Sequence, residues 1–157
     1  MNASTLLERV CTYISRCLPG VTIYGADKRP YLTRTYLLGR DWKYFSIFLH
    51  KFHSSDPGTD VHNHPWAWSF SLILLGSYVE RREIGVQSKT QGDTRKRRFV
   101  PGDFNFISND VFHRVTLDDE DEGVWTLFVA GPRTKEWGFR DADGVYRDWR
   151  TNPNAIR

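Results

Sequence analysis

Beyond residue 20 this chain is written in short runs of β-branched and aromatic residues, cut at close intervals by Gly, Pro, Asp and Asn. No helical period interrupts them. That pattern predicts strands over 21–24, 31–38, 43–52, 66–82, 94–100, 103–107, 111–117 and 123–130, with a weaker one over 144–149. The run 66–82 is too long for one strand and should bend or break near Gly76, and residues 86–93 read as an exposed hairpin loop. Many short strands without helices between them exclude a βαβ fold and leave a sandwich or a barrel.

One helix precedes the strands. Ser4 can cap its start, Leu6, Leu7, Val10, Cys11, Ile14 and Leu18 recur on one face, and Pro19-Gly20 stops it. At 157 residues the chain has room for one domain, so the expected organisation is a helix over 1–20 packed on a single β-domain over 21–157. Aromatic residues at 15% supply a core at this size. Trp66, Trp68, Phe70, Phe104, Phe106 and Phe112 are expected to fill it, and Trp125, Trp137 and Trp149 to anchor the C-terminal third.

Charge narrows the function classes only slightly. A net charge of +3 does not point to nucleic acid or to an anionic membrane. The one dense cluster, Arg95-Lys96-Arg97-Arg98, sits in a strand and reads as a solvated hairpin edge, so nucleic acid is not an expected partner. Cys11 and Cys17 are six apart on a helix and point away from each other, which argues against a disulfide. No apolar run reaches the length of a membrane span and no secretory pattern opens the chain, so the expectation is a cytoplasmic protein without membrane contact.

Two segments carry chemistry. In the first, Asp60-Val61-His62-Asn63-His64-Pro65-Trp66, residues two apart on an extended chain project to the same side, so His62 and His64 can reach one point. In the second, Pro101-Gly102-Asp103 makes a turn, a strand follows, and His113 lies in the next β-type run. Imidazole ligates Zn, Fe, Ni and Cu, and a distant strand can bring a third ring to the first two. His50 and His53 face opposite sides of their strand; His50 is placed at the surface or core edge, with a cavity role as the alternative. Asp56 and Asp60 flank Pro57-Gly58 and read as turn formers.

These two segments resemble the paired motifs of the cupin superfamily, G(x)5HxH(x)3–4E(x)6G and G(x)5PxG(x)2H(x)3N. His62 and His64 match the first histidine pair, Gly76 the closing glycine, Pro101-Gly102 the turn of the second motif and His113 its histidine, after a longer interval than usual. His64-Pro65-Trp66 and the Gly131-Pro132-Arg133 to Phe139 segment resemble a subgroup of small cupin-like proteins of bacteria and phages. The resemblance implies an all-β jelly-roll barrel, a single divalent metal on His62, His64 and His113, and pairing into a homodimer. Ser69 stands where many cupins place a glutamate ligand, which makes the implied site a three-histidine one.

Such a site is similar to that of the thiol dioxygenases of the superfamily. Fe(II) is the preferred ion, with Zn, Ni or Mn as alternatives, and three neutral ligands favour a small anionic substrate in the open positions. Arg114, Arg133 and Trp66 are the candidate substrate contacts, with Glu80 beside them, and Tyr78 or His50 the candidate catalytic acid or base. The reading is a metal-dependent oxygenase; its alternative is a non-catalytic cupin that binds or senses a small molecule. A metal-free, epimerase-like cupin is disfavoured, since it would not need all three histidines.

Overall fold

A computed structural model describes residues 3–39, 43–83 and 94–151; the expected hairpin loop over 86–93 lies outside them. The helix forms where its periodicity places it, α1 over Ala3–Cys17, with Ser4 inside the first turn and not at its cap. Twelve strands follow: β1 (Gly20–Tyr24), β2 (Pro30–Leu38), β3 (Ser46–Phe52), β4 (Val61–His62), β5 (Trp68–Leu75), β6 (Tyr78–Glu83), β7 (Thr94–Phe99), β8 (Phe104–Ser108), β9 (His113–Leu117), β10 (Val124–Ala130), β11 (Gly138–Arg140) and β12 (Tyr146–Asp148). The long run does break at Gly76, whose φ of 73° makes the tight turn between β5 and β6. Pro101-Gly102 turns in the same way, with Gly102 at φ 93° and Asp103 N donating to Val100 O at 2.9 Å.

The strands form two antiparallel six-stranded sheets, ordered β1-β2-β3-β10-β5-β8 and β12-β11-β4-β9-β6-β7. They lie face to face in a jelly-roll arrangement and are not closed into the expected barrel. Between them Ile73, Tyr78, Phe99, Val115, Leu117 and Val124 pack from both sheets into one cluster, with Phe52 against it. A second cluster of Phe48, Phe128 and Ala130 is flanked by Tyr36 and Trp66. On β3 and β10 the alternate residues, Leu49 and Trp125, turn to the outer face and meet Cys11 and Ile14 of α1. The helix is therefore docked by a narrower stripe than its sequence suggested. Leu6, Val10 and Leu18 remain 51%, 45% and 40% exposed. Both cysteines are free.

The aromatic core expectation needs correction at several positions. Phe112 is buried, but Phe104 and Phe106 are 57% and 58% exposed, Trp68 is exposed, and Trp66 and Phe70 are only half-buried. The cause is strand parity. On β8 the inward residues are Asn105 and Ile107, and on β5 they are Ser69, Ser71 and Ile73, so the larger rings take the outer face. Phe70 and Phe104 stack there across paired strands, centroids 5.2 Å apart. In the C-terminal third Trp125 is buried beneath α1, while Trp137 and Trp149 stack at 5.8 Å. The basic run forms β7 at the rim of its sheet, exposed from Thr94 to Arg98, with Arg98 pairing to Asp118 at 2.8 Å. Among the described residues no helix is long and apolar enough to cross a membrane.

This parity predicts an inverted mutational order. Ile73→Ala, deleting a side chain 1% exposed, should cost about 2–5 kcal/mol. Phe106→Ala removes a larger group from the surface and should cost well under half as much. Urea midpoints of the two variants decide it; a Phe106→Ala loss equal to that of Ile73→Ala would contradict the strand assignment.

Candidate metal centre

The site forms where β4 meets β9. His62 and His113 are direct antiparallel partners, the geometry that brings opposite side chains closest. Asn63, between the two motif histidines, turns the other way: it accepts from Gly138 N at 2.9 Å and its own N–H donates to Gly138 O at 3.1 Å. That bracket fixes the extended backbone and leaves His64 on the same side as His62. Pro65 to Trp68 are held by the segment after β10, through Ala67 N to Pro132 O, Thr134 N to Pro65 O and Gly131 N to Trp68 O, each 2.9 Å.

The three rings converge. Each of His62, His64 and His113 offers one nitrogen, and all three lie within 4.8 Å of one another. Nε2 of His64 and Nε2 of His113 are 2.8 Å apart. Imidazole nitrogens sit ~2.0–2.1 Å from an ion such as Zn²⁺, so two at right angles are separated by ~3.0 Å, close to this spacing. Behind the rings stand two buried carboxylates. Nδ1 of His113 donates to Glu80 Oε1 at 2.7 Å, and Nδ1 of His62 lies 3.4 Å from Asp56 Oδ2. A carboxylate on the far nitrogen of an imidazole fixes the tautomer that leaves Nε2 free to ligate. The residues present fit a divalent ion.

Each carboxylate is itself held. Glu80 receives Arg82 Nη2 at 2.9 Å and Asn105 Nδ2 at 3.1 Å. Burial would raise its pKa, but the bonds from His113, Arg82 and Asn105 outweigh that and bring it down to about 2. Asp56 accepts from Val115 N at 2.6 Å and from the Tyr31 hydroxyl. Tyr31 reaches it because it is the unpaired residue of a β-bulge: Ile23 faces Leu32 and Tyr24 faces Pro30, so both Tyr31 and Leu32 line the interior.

A cavity of about 230 Å³ opens on the three histidines. Trp66 stacks on His64 at 5.6 Å, and Phe128, Ile107, Leu32 and Val115 give it apolar walls. Tyr78 and His50 both line it. His50 is 2% exposed, not at the surface or core edge, and stacks on Phe48 and Phe128 with centroids 5.6 and 4.8 Å away. Tyr78 is buried on Phe99, its hydroxyl accepting from Asn105 at 3.1 Å, and burial raises its pKa. Arg133 reaches the cavity from an exposed position and pairs with Glu136 at 2.9 Å. Arg114 does not line it: its donors go to Gly58 O, Asp56 O and Thr116 Oγ1 at 3.0, 2.8 and 2.6 Å, tying the 56–58 turn to β9. Ser69 is fully buried, with Oγ donating to Ile107 O at 3.5 Å.

Sequence reasoning overlooked Asp56 as an orienting group, Tyr31, and Arg34, which lines the cavity from β2. A signal for Arg34 existed: Leu32, Arg34 and Tyr36 share one face of a strand, a charge within an apolar alternation.

No family model matches the sequence, and no curated protein matches it. Solved structures do. One is Fe(II)-HppE with the alternative substrate (S)-1-HPP, at a TM-score of 0.51 and 16% identity over 72% of this chain and 55% of that one. KdgF from a Halomonas species matches at 0.50 and 19%, over 70% of this chain and 88% of its own. Bacillus subtilis oxalate decarboxylase OxdC matches at 0.52 and 13%, over 68% and 27%. All three are cupin-fold proteins. This chain has the cupin fold. Against HppE the cupin-fold chain spans about half the length of its neighbour, 55%, and at these identities the likeness is one of fold alone.

Burial gives the cupin-fold protein a predicted acid response. His50, His62 and His64 all titrate below the usual 6.5, burial being the main cause, His62 at about 4. A depressed histidine leaves the unfolded chain binding more protons just below 6.5, so its stabilisation is complete above that pH and lost as pH falls toward the folded value. Glu80, lowered from 4.5 to about 2, adds a further loss between those two values. The metal-free protein should hold its urea midpoint from about pH 8 to 6.5 and then lose stability continuously to about pH 4. A midpoint that stays flat below 6.5 would mean that these rings are not buried neutral.

Proposed function

We propose that this cupin-fold protein is a metal-dependent oxygenase that holds one divalent ion, Fe(II), on His62, His64 and His113 and acts on a small anionic substrate. The observation that carries the reading is the pair of carboxylates behind the ligands, Glu80 on His113 and Asp56 beside His62. Structural histidines do not need two buried acids to aim their Nε2 atoms at one point; metal ligands do.

The ligand set is neutral, and the nearer acid, Glu80, is already matched by Arg82 at 2.9 Å. An ion here keeps an excess of positive charge, which favours an anion in its open positions. Fe(II) would supply a redox-active centre with room for dioxygen and substrate side by side. The chain does the rest. Glu80 holds the proton at Nδ1 of His113, Asp56 steadies His62, and Trp66, Phe128 and Ile107 keep water from the cavity. Tyr78, whose pKa burial raises, keeps its proton and would offer it as a hydrogen bond to a substrate in the cavity.

Elemental analysis of protein purified without chelator or affinity-tag metal is the first test. Alanine at position 62, 64 or 113 should each remove most of the ion while the β-type circular dichroism survives. Glu80→Gln should weaken binding by roughly 10–100-fold in a chelator competition, whereas Ser69→Ala should leave it nearly unchanged. Stoichiometric metal in the triple histidine variant would refute the site.

Turnover is tested separately with an oxygen electrode. The Fe(II) protein should consume oxygen faster when a thiol or carboxylate from a small-metabolite panel is added, and His113→Ala should not respond. Ligand binding without oxygen uptake in the Fe, Ni, Mn and Zn forms would replace the oxygenase with a binding or sensing protein.

A further inference from the structure

One charge in the cavity is left over by the metal centre. Arg34 projects from the middle of β2 into the space that His62, His64 and His113 line. Its Nε donates to His50 Nε2 at 3.1 Å, and its guanidinium carbon lies 5.0 Å from the Phe48 ring and 5.5 Å from Trp66. Those are the side chains it meets among the described residues. Among the described residues no carboxylate lies within ion-pair range of it, whereas Arg82 and Arg140 meet Glu80 and Glu83 at 2.9 and 2.7 Å. A guanidinium taken out of water without an anion is costly, and burial lowers its pKa accordingly.

His50 explains how that charge is aimed. Because Nε2 accepts from Arg34, the ring is neutral with its proton on Nδ1. Stacking on Phe48 and Phe128, at 7° and 23° between planes, keeps the ring from turning. The Nε edge of the guanidinium is thereby committed, and Nη1 and Nη2 remain as a planar fork. Two parallel N–H bonds from such a fork match the two oxygens of a carboxylate. Trp66 contacts Arg34 on one side of the cavity and stacks on His64 on the other, so fork and metal ligands face one enclosed space.

The two arginines expected as substrate contacts are occupied. Arg114 is spent on Gly58, Asp56 and Thr116, and Arg133 is exposed and paired with Glu136. Those two are not the anion site. Of the two arginines among the described residues lining the cavity, Arg133 is already matched by Glu136, and the one charge of Arg34 suits a singly charged group better than a phosphate. The volume of about 230 Å³ lies below the ~300–1,000 Å³ of pockets that take drug-sized ligands.

We propose that Arg34 is the anion-binding residue of this cavity, taking the carboxylate of a small organic acid whose apolar body lies against Trp66, Phe128 and Ile107, with His50 as the positioning residue for the guanidinium. The acid's far end faces the three histidines, and only that part of the proposal rests on the metal reading above.

Calorimetric titration of the zinc-loaded protein tests it, with benzoate and butyrate as carboxylates, benzamide as the neutral match and phenylphosphonate as the dianion. At least one carboxylate should bind, and benzamide should bind at least about tenfold more weakly than benzoate. Arg34→Gln and Arg34→Lys should each weaken the carboxylate by about tenfold or more, with bound zinc still stoichiometric. Two variants are used so that a folding failure in one leaves the other informative. His50→Leu should lose as much as Arg34→Gln, and His50→Gln, which keeps an acceptor for Nε, should recover most of it. Arg133→Gln should bind like the parent.

The proposal is overturned if neither carboxylate binds, if phenylphosphonate binds more tightly than benzoate, or if the Arg34 variants bind as the parent does. The two readings fail separately. Arg34-dependent carboxylate binding in a protein that takes up no metal would remove the metal centre and keep the anion site. Stoichiometric zinc with carboxylate binding indifferent to Arg34 would do the reverse.

Discussion

The hydrogen bond from His113 Nδ1 to Glu80 organises both the chemistry and the architecture of this molecule. It is 2.7 Å long and joins two side chains each 3% exposed, so neither can trade its partner for water. It sets the tautomer of His113, and through Arg82 and Asn105 it reaches across the gap between the sheets. Glu80 and Arg82 stand on β6, while Asn105 and the Phe106 carbonyl, both bonded by Arg82, stand on β8. The backbone does not close the sandwich along this side; side chains do. The group that orients His113 thus also helps keep the two sheets in register.

The second acid works through the chain path. Asp56 sits in the turn after β3, and Arg114 holds that turn by two carbonyls, Asp56 O and Gly58 O. Tyr31 meets Asp56 only because a bulge sends it inward. Three separated segments therefore converge behind His62, each fixed by backbone bonds before any metal or substrate arrives. Little of the site sits on free loop, which is what preorganised binding requires.

Much of this was legible in the sequence, for identifiable reasons. His62, His64 and His113 could be read because strand alternation is local: two residues apart on extended chain means one side, whatever lies around it. The break at Gly76 and the Pro101-Gly102 turn are equally local, since both depend on φ. What could not be read was the choice of face. Nothing within Phe104-Asn105-Phe106-Ile107 says that the asparagine points inward; that follows from Tyr78 and Glu80, more than twenty residues away, needing a donor. For the same reason Asp56 looked like a turn residue and Arg114 like a substrate contact. Arg34 was hidden differently, its meaning depending on the acid it does not have.

Before Ile73 the inner face of β5 carries two small residues, Ser69 and Ser71, opposite Ala130 and Phe128 in register. Ser71 lines the cavity between Phe128 and Asn105, its neighbours on the two flanking strands. One short side chain therefore forms part of the chamber wall, its hydroxyl hydrogen-bonded to that of Tyr78. A valine or leucine at that position would narrow the chamber, a glycine would widen it, and each would remove the hydroxyl that Tyr78 bonds. On the carboxylate-binding reading proposed above, the size of acid that this scaffold admits can drift through a single codon.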